Sequence, residues 1–404
     1  MLRSGPVSMN DCFGGIPLSI GRRVPSPVSI SLPDTMKLLC VVGARPNYMK
    51  MAPLLDCAEH LAGVDVCLVH TGQHFDDIMS GRLLRELGIP EPHHHLNMGK
   101  GPADEQLSRM CVGLEHVIED ERPDAVIVVG DVTSTLAGAR AAAAKGVPIA
   151  HIEAGLRSYD YGMPEERNRL EVDHLAQWLF TTEPSANINL IEEGHSPDRI
   201  HFVGNLMIDT LFKHRPKAES MARWEGFGEE RGNYVLMTMH RQAGVDDPVV
   251  FGGVIDALDK VQARLPVVFS LHPRTAKMLD EFDLRGQLDA MKAVQLMPPL
   301  SYLEFMSMMI GSRLVITDSG GIQEETTALG VPCLTIRWNT ERPVTVTRGT
   351  NRLVGLDSKS IVQVFEQMMA DQNEKMLVPE LWDGKSADRV LNVLMKDVGV
   401  ESSW

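Results

Sequence analysis

The chain has 404 residues, 44% hydrophobic and 23% charged, the proportions of a globular protein long enough for two domains. Its formal net charge of −15 argues against nucleic acid or an anionic membrane as a partner. No apolar run approaches the roughly 20 residues that span a bilayer, so no membrane association is expected. Local Arg and Lys side chains and backbone amides would therefore have to hold any anionic ligand.

Residues 1–35 are rich in Ser, Pro and Arg and lack periodicity, so they are predicted to form a disordered extension. They contain no apolar core of a secretory signal, although a transit-like segment and a start codon assigned too early are alternatives. The cysteines form no CxxC pair, and buried, reduced thiols in a cytoplasmic protein are expected. The six cysteines are Cys12, Cys40, Cys57, Cys67, Cys111 and Cys333.

From Met36 to about Gly204, short β-branched runs alternate with segments of helical spacing. The predicted strands are LLCVVG, VDVCLVH, AVIVVG, VPIAHIE, LFTT and IHFVG, and the predicted helices span 49–62, 76–87, 104–120 and 134–144. Alternation of this kind predicts a parallel sheet with helices on both faces.

A polar segment at 213–232 contains Pro216 and three glycines and is predicted to be a linker. Alternation then resumes with YVLMTMH, PVVFSLH, AVQLM, RLVITDS and VPCLTI, and with helices at 248–263 and 302–310. We therefore predict two doubly wound, Rossmann-like α/β domains, at 36–205 and 206–385. Residues 386–404 follow, with an amphipathic helix at 386–398 that crosses back onto the first domain. Ligands are expected at strand carboxyl ends facing an interdomain cleft.

The stretch TDSGGIQEE, residues 317–325, is predicted to be a strand end, a Ser-Gly-Gly turn and a helix. Glycines at such a turn let backbone amides approach a phosphate at the positive end of the helix dipole. Ser319, Gly320 and Gly321 are predicted to supply these donors. Glu325, about one helical turn further on, is predicted to accept hydrogen bonds from a ribose diol. The predicted ligand is a nucleotide.

Cations also follow predicted strands. Arg45 and Lys50 stand near the start of a helix after VVG, and Arg342 lies in TERP. Arg suits bidentate contact with a diphosphate, and Lys supplies a point charge. The alternative is two solvated cations at a helix end. A cation at a helix N-terminus opposes the dipole, which favours the functional interpretation.

Three carboxylate sites occur at the expected rim of the first domain. Asp131 follows IVVG, Glu153 follows HI, and Glu165 with Glu166 comes from a Gly-containing loop. Asp131 is nearly as readily explained as a helix N-cap, and each carboxylate alone is weak evidence. Three together predict a catalytic role.

The histidines are weaker indicators of a functional site than the carboxylates. His240 and His272 each follow a strand, and each alone is better explained as a core residue bonded to backbone. The run at 93–95 lies between prolines without Cys or acidic partners at ligand spacing, which predicts a surface loop and no metal site. GxGxxG after a strand, a Walker motif, HExxH and GxSxG do not occur, so no cofactor is expected.

Together these motifs resemble the non-hydrolysing UDP-N-acetylglucosamine 2-epimerases over residues 36–400. The matching stretches are GARPNYMKMAPL, VHTGQHFD, GDVTSTLAGA, HIEAGLRS, MPEERNR, MHR, TDSGGIQEE and TERP. The resemblance implies a glycosyltransferase-B architecture, a dimer and a place in polysaccharide biosynthesis. It also implies cofactor-independent C2 epimerisation of UDP-N-acetylglucosamine through UDP elimination and a 2-acetamidoglucal.

The resemblance also implies roles for individual residues. The implied catalytic positions are Asp131, Glu153, Glu165 and His240. The implied substrate-binding positions are Arg45, Lys50, Arg169, Phe305, Ser319, Gly320, Gly321, Glu325 and Arg342. Hydrolysing relatives carry His-Gly-Gly near Glu153, so the carboxylate there favours the reversible enzyme.

Two departures from the family pattern concern binding. Leu300 stands where some members place a Gln near the base, and residues 98–102 lack the Gln/Arg pattern of an activating second substrate site. Gln73, Arg241 and His272 match other positions of that site. A C2-epimerase of a related UDP-acetamido sugar, a glycosyltransferase and a nucleotide-sugar sensor are the alternative functions.

Overall fold

Two parallel β-sheets with interleaved helices organise the chain in this computed structural model, as the alternating pattern predicts. The structure describes residues 35–73, 77–99, 101–227, 231–371 and 377–399. The predicted extension at 1–35 lies almost wholly outside them. Within the described residues no helix combines the length and apolarity needed to cross a bilayer.

The first sheet has seven parallel strands in the order β3-β2-β1-β4-β5-β6-β7. Its strands are β1 (Met36–Val42), β2 (Val64–His70), β3 (His94–His95), β4 (Ala125–Val129), β5 (Ile149–Ile152), β6 (Trp178–Thr181) and β7 (Ile200–Phe202). The direction of winding reverses between β1 and β4. Ligand sites of open α/β sheets lie at the strand carboxyl ends beside such a reversal, where Arg45 and Asp131 follow their strands.

Helices cover both faces of this sheet and enclose its apolar side chains in two clusters. They are α1 (Arg45–Glu59), α2 (Asp77–Leu87), α3 (Ala103–Glu121), α4 (Thr133–Lys145), α5 (Pro164–Leu175), α6 (Pro184–Glu192) and α7 (Leu206–Met221). The prediction that α1 begins at Met49 was wrong by four residues. Pro46 stands in its first turn, where the missing N–H is not needed. Glu165 and Glu166 also lie in a first helical turn, that of α5, and not in a loop.

The second sheet has six parallel strands in the order β10-β9-β8-β11-β12-β13. They are β8 (Val235–Thr238), β9 (Val267–Ser270), β10 (Val294–Met297), β11 (Leu314–Thr317), β12 (Cys333–Thr335) and β13 (Asn351–Leu353). Winding reverses between β8 and β11, so His240 and the 319–321 turn follow the two central strands.

The remaining helices belong to the second half of the chain. They are α8 (Gln242–Val245), α9 (Pro248–Gln262), α10 (Pro273–Glu281), α11 (Arg285–Asp289), α12 (Tyr302–Gly311), α13 (Gly320–Leu329), α14 (Val344–Thr347), α15 (Ser358–Ala370) and α16 (Ser386–Val398). The last of these has the predicted bounds. It packs against α1 and α7, with the Asp209 carboxylate accepting from the Ala387 amide at 2.8 Å.

The predicted linker at 213–232 was wrong for its described part. Helix α7 continues through Pro216 to Met221, and a 3-10 turn follows at 223–227. Pro216 is exposed, while Leu211, His214 and Ala218 are buried against neighbouring helices. Burial of this stripe therefore outweighs the hydrogen bond that proline removes.

The predicted surface loop at 93–95 was also wrong. His94–His95 pairs with β2 as the edge strand of the first sheet, and His93 Nδ1 accepts from the Leu68 amide at 3.0 Å. Partners that are remote in the sequence, Cys67 and Glu121, lie beside His94. Spacing along the chain gives no sign of them.

Candidate active site

Glu153 lies among three cations at the carboxyl end of β5. Its side chain is buried; Lys50 donates to one oxygen and Arg342 Nη2 to the other at 2.8 Å. Arg169 Nη2 lies 3.8 Å from the first oxygen. Burial alone would raise the pKa of this carboxyl, but Lys50, Arg342 and Arg169 lower it to about 2. The Glu153 backbone has a φ of +69°, a left-handed conformation that costs a non-glycine residue about 1 kcal/mol or more.

The backbone around Glu153 is fixed by a buried histidine. His151 Nδ1 lies 2.7 Å from Asp173 Oδ1, and its Nε2 lies 2.8 Å from the carbonyl oxygen of Gly130. Gly130 has a φ of +72°, and a Cβ there would lie 3.1 Å from Glu153 Oε2. Glycine suits this position, because a Cβ would crowd the Glu153 carboxylate and because other residues rarely adopt this backbone conformation.

Asp131 borders this centre and is less enclosed, and Glu165 lies about one helical turn before Arg169 on α5. Asp131 Oδ2 accepts from Arg169 at 2.5 Å, and its side chain is 22% exposed. Glu165 is half-buried and forms no hydrogen bond or ion pair with another described residue. Its neighbour Glu166 is structural, because its oxygens accept the backbone amides of Ser158 and Tyr159.

Arg342 joins the second sheet to Glu153. It follows β12, and besides Glu153 it contacts Glu324 Oε1 at 2.7 Å and the carboxylate of Glu341. Burial would lower the pKa of this guanidinium, but Glu324, Glu341 and Glu153 hold it well above its usual range. A Cβ at Gly320 would lie 2.7 Å from Arg342 Nη1, so glycine permits the close approach.

The Ser-Gly-Gly turn opens α13 as the sequence predicts, with Ser319 at the N-cap. The Ser319 amide donates to Thr317 Oγ1 at 3.1 Å, so it is already used within the turn. The amides of Gly320 and Gly321 stand in the first helical turn, where the helix supplies no acceptor. These two amides and the Ser319 hydroxyl remain as donors.

Glu325 is buried beside Tyr302 and near the charge of Arg45. Burial raises the pKa of this carboxyl to about 7, with Glu324 contributing. The Tyr302 hydroxyl interacts with Glu325 but does not meet hydrogen-bond geometry, and it has no other partner among the described residues. Arg45 is exposed, and Phe305 is partly buried against the hydrophobic core.

His240 is held by Asp318 at the end of β11. Its Nδ1 lies 3.1 Å from Asp318 Oδ1, and its amide donates to Asp318 Oδ2 at 2.8 Å. The Arg241 amide donates to the same oxygen at 2.7 Å. The His272 ring packs against His240 with centroids 5.2 Å apart, so His240 is oriented while 39% of its side chain stays exposed.

The structure therefore brings Lys50, Asp131, Glu153, Arg169 and Arg342 into one network. Glu325 and His240 border this network through their neighbours Glu324, which contacts Arg342, and Arg241, which lies 3.9 Å from Glu341. Sequence reasoning missed five supporting residues. They are His151, Asp173, Asp318, Glu324 and Glu341. Three of these adjoin residues that were singled out, in TDSGGIQEE and TERP, so that signal was available. Asp173 lies 22 residues from its partner His151, and nothing in the local pattern marks it.

A family model described as UDP-N-acetylglucosamine 2-epimerase matches residues 57–395. The chain belongs to this epimerase family. The resemblance found in its motifs is thereby confirmed.

Individual members of the 2-epimerase family are similar over most of the chain. UDP-N-acetylglucosamine 2-epimerase of Methanocaldococcus jannaschii is 36% identical over 364 residues, covering 89% of this chain and 99% of the relative. A crystal structure of the M. jannaschii enzyme in complex with UDP-GlcNAc and UDP is similar with a TM-score of 0.81, over 89% of this chain and 100% of that one. UDP-2,3-diacetamido-2,3-dideoxy-D-glucuronate 2-epimerase of Pseudomonas aeruginosa is 40% identical over 331 residues, or 81% and 91% of the two chains.

Proposed function

We propose that this protein interconverts UDP-N-acetylglucosamine and UDP-N-acetylmannosamine by inverting C2, without a cofactor. The observation that carries the proposal is the direct contact between Glu153 of the first sheet and Arg342 of the second. This contact joins a cation that can hold a diphosphate to the network that also contains Asp131, a carboxylate proposed to move a proton. Membership of the 2-epimerase family and the M. jannaschii complex with UDP-GlcNAc support the choice of substrate.

The chemistry follows from the weak acidity of the C2 proton. C2 bears an amide nitrogen and is not adjacent to a carbonyl, so direct removal of its proton is unfavourable. Departure of UDP from C1 gives oxocarbenium character, which acidifies the C2 proton. Arg45, Arg342 and the amides of Gly320 and Gly321 would stabilise the departing diphosphate. Removal of the C2 proton then gives a 2-acetamidoglucal. Protonation of C2 from the opposite face, with re-addition of UDP at C1, gives the epimer.

The three carboxylates are suited to different parts of this reaction. Glu153, with a pKa of about 2 and three cationic neighbours, is a weak base. Its proposed role is to orient Lys50 and Arg342 and to stabilise positive charge near C1. Asp131 and Glu165 are more open, and they are the proposed proton carriers on the two faces of the sugar.

Proton NMR of turnover in deuterated water tests the proposal. We expect one deuterium at C2 of the epimer formed from UDP-N-acetylglucosamine, with free UDP and 2-acetamidoglucal only as slow leakage. Protium retained at C2 would exclude proton exchange. UDP released in equal amount with free sugar indicates a hydrolase, and UDP released only with an added acceptor indicates a glycosyltransferase.

A second candidate substrate is a UDP-diacetamido-glucuronate, which the 40% identical P. aeruginosa relative is named for. Such a sugar carries an additional carboxylate that needs a cation. Arg337 is buried, and its Nη1 has no hydrogen-bond partner among the described residues. The ratio of kcat/KM for the two nucleotide sugars decides between them, and Arg337→Gln should lower only the value for the uronate if Arg337 binds its carboxylate.

Two further properties belong to the proposal. A homodimer is proposed from the family resemblance, and sedimentation equilibrium tests it.

A reducing, cytoplasmic location is supported by the five described cysteines, none of which forms a disulfide bond with another described residue. Fractionation of cells that express a tagged full-length chain tests the location.

A further inference from the structure

Cys67 and His94 share one face of the first sheet. His94 pairs with Val69, and Cys67 stands two residues before Val69 on β2. Side chains two residues apart on a strand point to the same face, so Cys67 and His94 are diagonal cross-strand neighbours. β3 is an edge strand, and 32% of the His94 side chain is exposed there.

Helix α3 adds a carboxylate to the same face. Val117 and Ile118 of this helix pack in the hydrophobic cluster that contains Cys67. Glu121 follows these residues at helical spacing and ends α3. The sulfur of Cys67, a ring nitrogen of His94 and a carboxylate oxygen of Glu121 all lie within 4.8 Å of one another.

A fourth residue balances the charge of this group. Glu121 Oε1 lies 2.6 Å from His94 Nε2, and Lys37 Nζ donates to Glu121 Oε2 at 2.6 Å. The two carboxylate oxygens thus face different partners. Lys37 can stay bound to Glu121 Oε2 while Glu121 Oε1, the Cys67 thiolate and the His94 imidazole turn to bind one metal ion. Hydrogen bonds from residues that do not bind the metal themselves, such as this one from Lys37, fix the orientation of metal-binding carboxylates.

We propose that Cys67, His94 and Glu121 form a binding site for a divalent transition metal of the zinc and cobalt class. Sulfur, nitrogen and oxygen donors together suit these ions and not Mg²⁺ or Ca²⁺. The ligand atoms of a tetrahedral zinc site lie about 3.3 to 3.8 Å apart, so shifts of about 1 Å bring these three into range. Water would complete the coordination from the exposed side. The metal would link the short edge strand β3 to the C-terminal end of α3. The site would lie towards the amino ends of the strands, whereas Asp131 and Glu153 lie at their carboxyl ends.

Cobalt(II) provides a direct probe, because a bound thiolate gives a near-ultraviolet charge-transfer band. We expect the reduced, full-length protein to develop this band, to saturate at one equivalent of Co²⁺, and to lose the band on addition of Zn²⁺. Cys67→Ser should abolish the band. Cys111→Ser, a change at a partly buried thiol on α3 that is outside the proposed site, should retain it.

His94→Gln and Glu121→Gln keep the thiol and should weaken Co²⁺ binding at least about tenfold. They decide the question if Cys67→Ser does not fold, which circular dichroism reports. The proposal is overturned if the wild type gives no band, if the band survives Cys67→Ser, or if these two variants bind Co²⁺ as tightly as the wild type. None of these readouts depends on epimerase activity.

Discussion

Asp131 combines a fixed position with an open side. One oxygen is held by buried Arg169, while 22% of the side chain remains exposed. We predict that Asp131→Asn lowers kcat by about 10² to 10⁴, because an amide cannot accept the C2 proton. The Kd for UDP should stay within about twofold, since Asp131 contacts no residue proposed to hold the diphosphate. Stopped NMR assays and calorimetry measure the two quantities, and a large loss of UDP affinity would make Asp131 structural.

Glu325 gives a pH-dependent stability prediction. Its pKa is about 7 in the folded chain, above the value of about 4.5 expected in the unfolded chain. The folded state therefore binds the proton more tightly, and the associated stability is complete below pH 4.5 and lost as the pH rises through 7. The free energy of unfolding of Glu325→Gln, measured with urea, should accordingly rise relative to that of the wild type as the pH increases from 5 to 8. The expected gain is up to about 3 kcal/mol.

Glu304→Gln is the matched control for this measurement. Burial would raise the pKa of Glu304, but hydrogen bonds from Ser301 and Arg223 lower it to about 2. Its stabilising contribution is present above pH 4.5 and is lost only as the pH falls towards 2. Glu304→Gln should therefore cost the same free energy at pH 5 and at pH 8. A Glu325→Gln difference that is equally flat would contradict the raised pKa.

Single residues differed in how far the sequence revealed them. Asp131, Glu153 and Arg342 were recognisable because each follows a predicted strand at the sheet edge where ligands bind. The separate tasks of Glu165 and Glu166 were not, because only the fold shows that Glu166 caps the backbone at 158–159. The low basicity of Glu153 could not be predicted either, because it depends on three cations that come from distant parts of the chain.

At the level of elements, α7 carries an uncommon proline. Pro216 is exposed in the middle of a 16-residue helix and leaves the Phe212 carbonyl without its helical donor. Pro216→Ala restores the donor, although it also frees the unfolded chain. We predict a net gain of about 1 kcal/mol in the free energy of unfolding, measured by urea denaturation.

Pro248→Ala serves as the control for Pro216→Ala. Pro248 is also exposed, but it stands at the start of α9, where proline suits the first turn and no helical hydrogen bond is lost. We expect this change to be neutral or slightly destabilising. Equal effects of the two substitutions would show that Pro216 imposes no cost on α7.

Strong periodicity made most elements predictable, and weak or contradictory signals explain the misses. β2 and α16 had their predicted bounds because their apolar residues recur without interruption. α7 was missed because Pro216 and the glycines beyond it read as a break, whereas tertiary burial decides the outcome. β3 was missed because a two-residue strand has no periodicity to detect, and its pairing with β2 is a tertiary property.

For the whole molecule, Arg342 and Glu153 connect the two sheets through a buried ion pair. Removing either partner leaves an uncompensated charge, so Arg342→Gln and Glu153→Gln should each cost about 3 to 5 kcal/mol. The double variant should cost less than the two single costs added together, by at least about 1 kcal/mol. Additive costs would mean that the two side chains do not act on each other.

Arg140 and Glu171 form the comparison pair for this cycle. Their side chains are 44% and 41% exposed, and Arg140 Nη2 donates to Glu171 at 2.8 Å. Solvent screens such pairs, so their coupling should be no more than about 1 kcal/mol.

The alternation of strands and helices predicted both sheets, but their contact through Arg342 joins residues 189 apart in the chain. A separation of that size leaves no periodic trace.

The left-handed backbone of Glu153 has a consequence for laboratory evolution of this enzyme. Glycine would relieve the backbone strain at this position, but it would leave Lys50, Arg169 and Arg342 without the carboxylate that they share. A library screened only for heat resistance should therefore accept Gly or Asn at position 153 only together with substitutions of these cations, while a library screened for turnover should retain Glu153 and the cations. Sequencing the two enriched pools would show directly which residues are kept for catalysis at the expense of the fold.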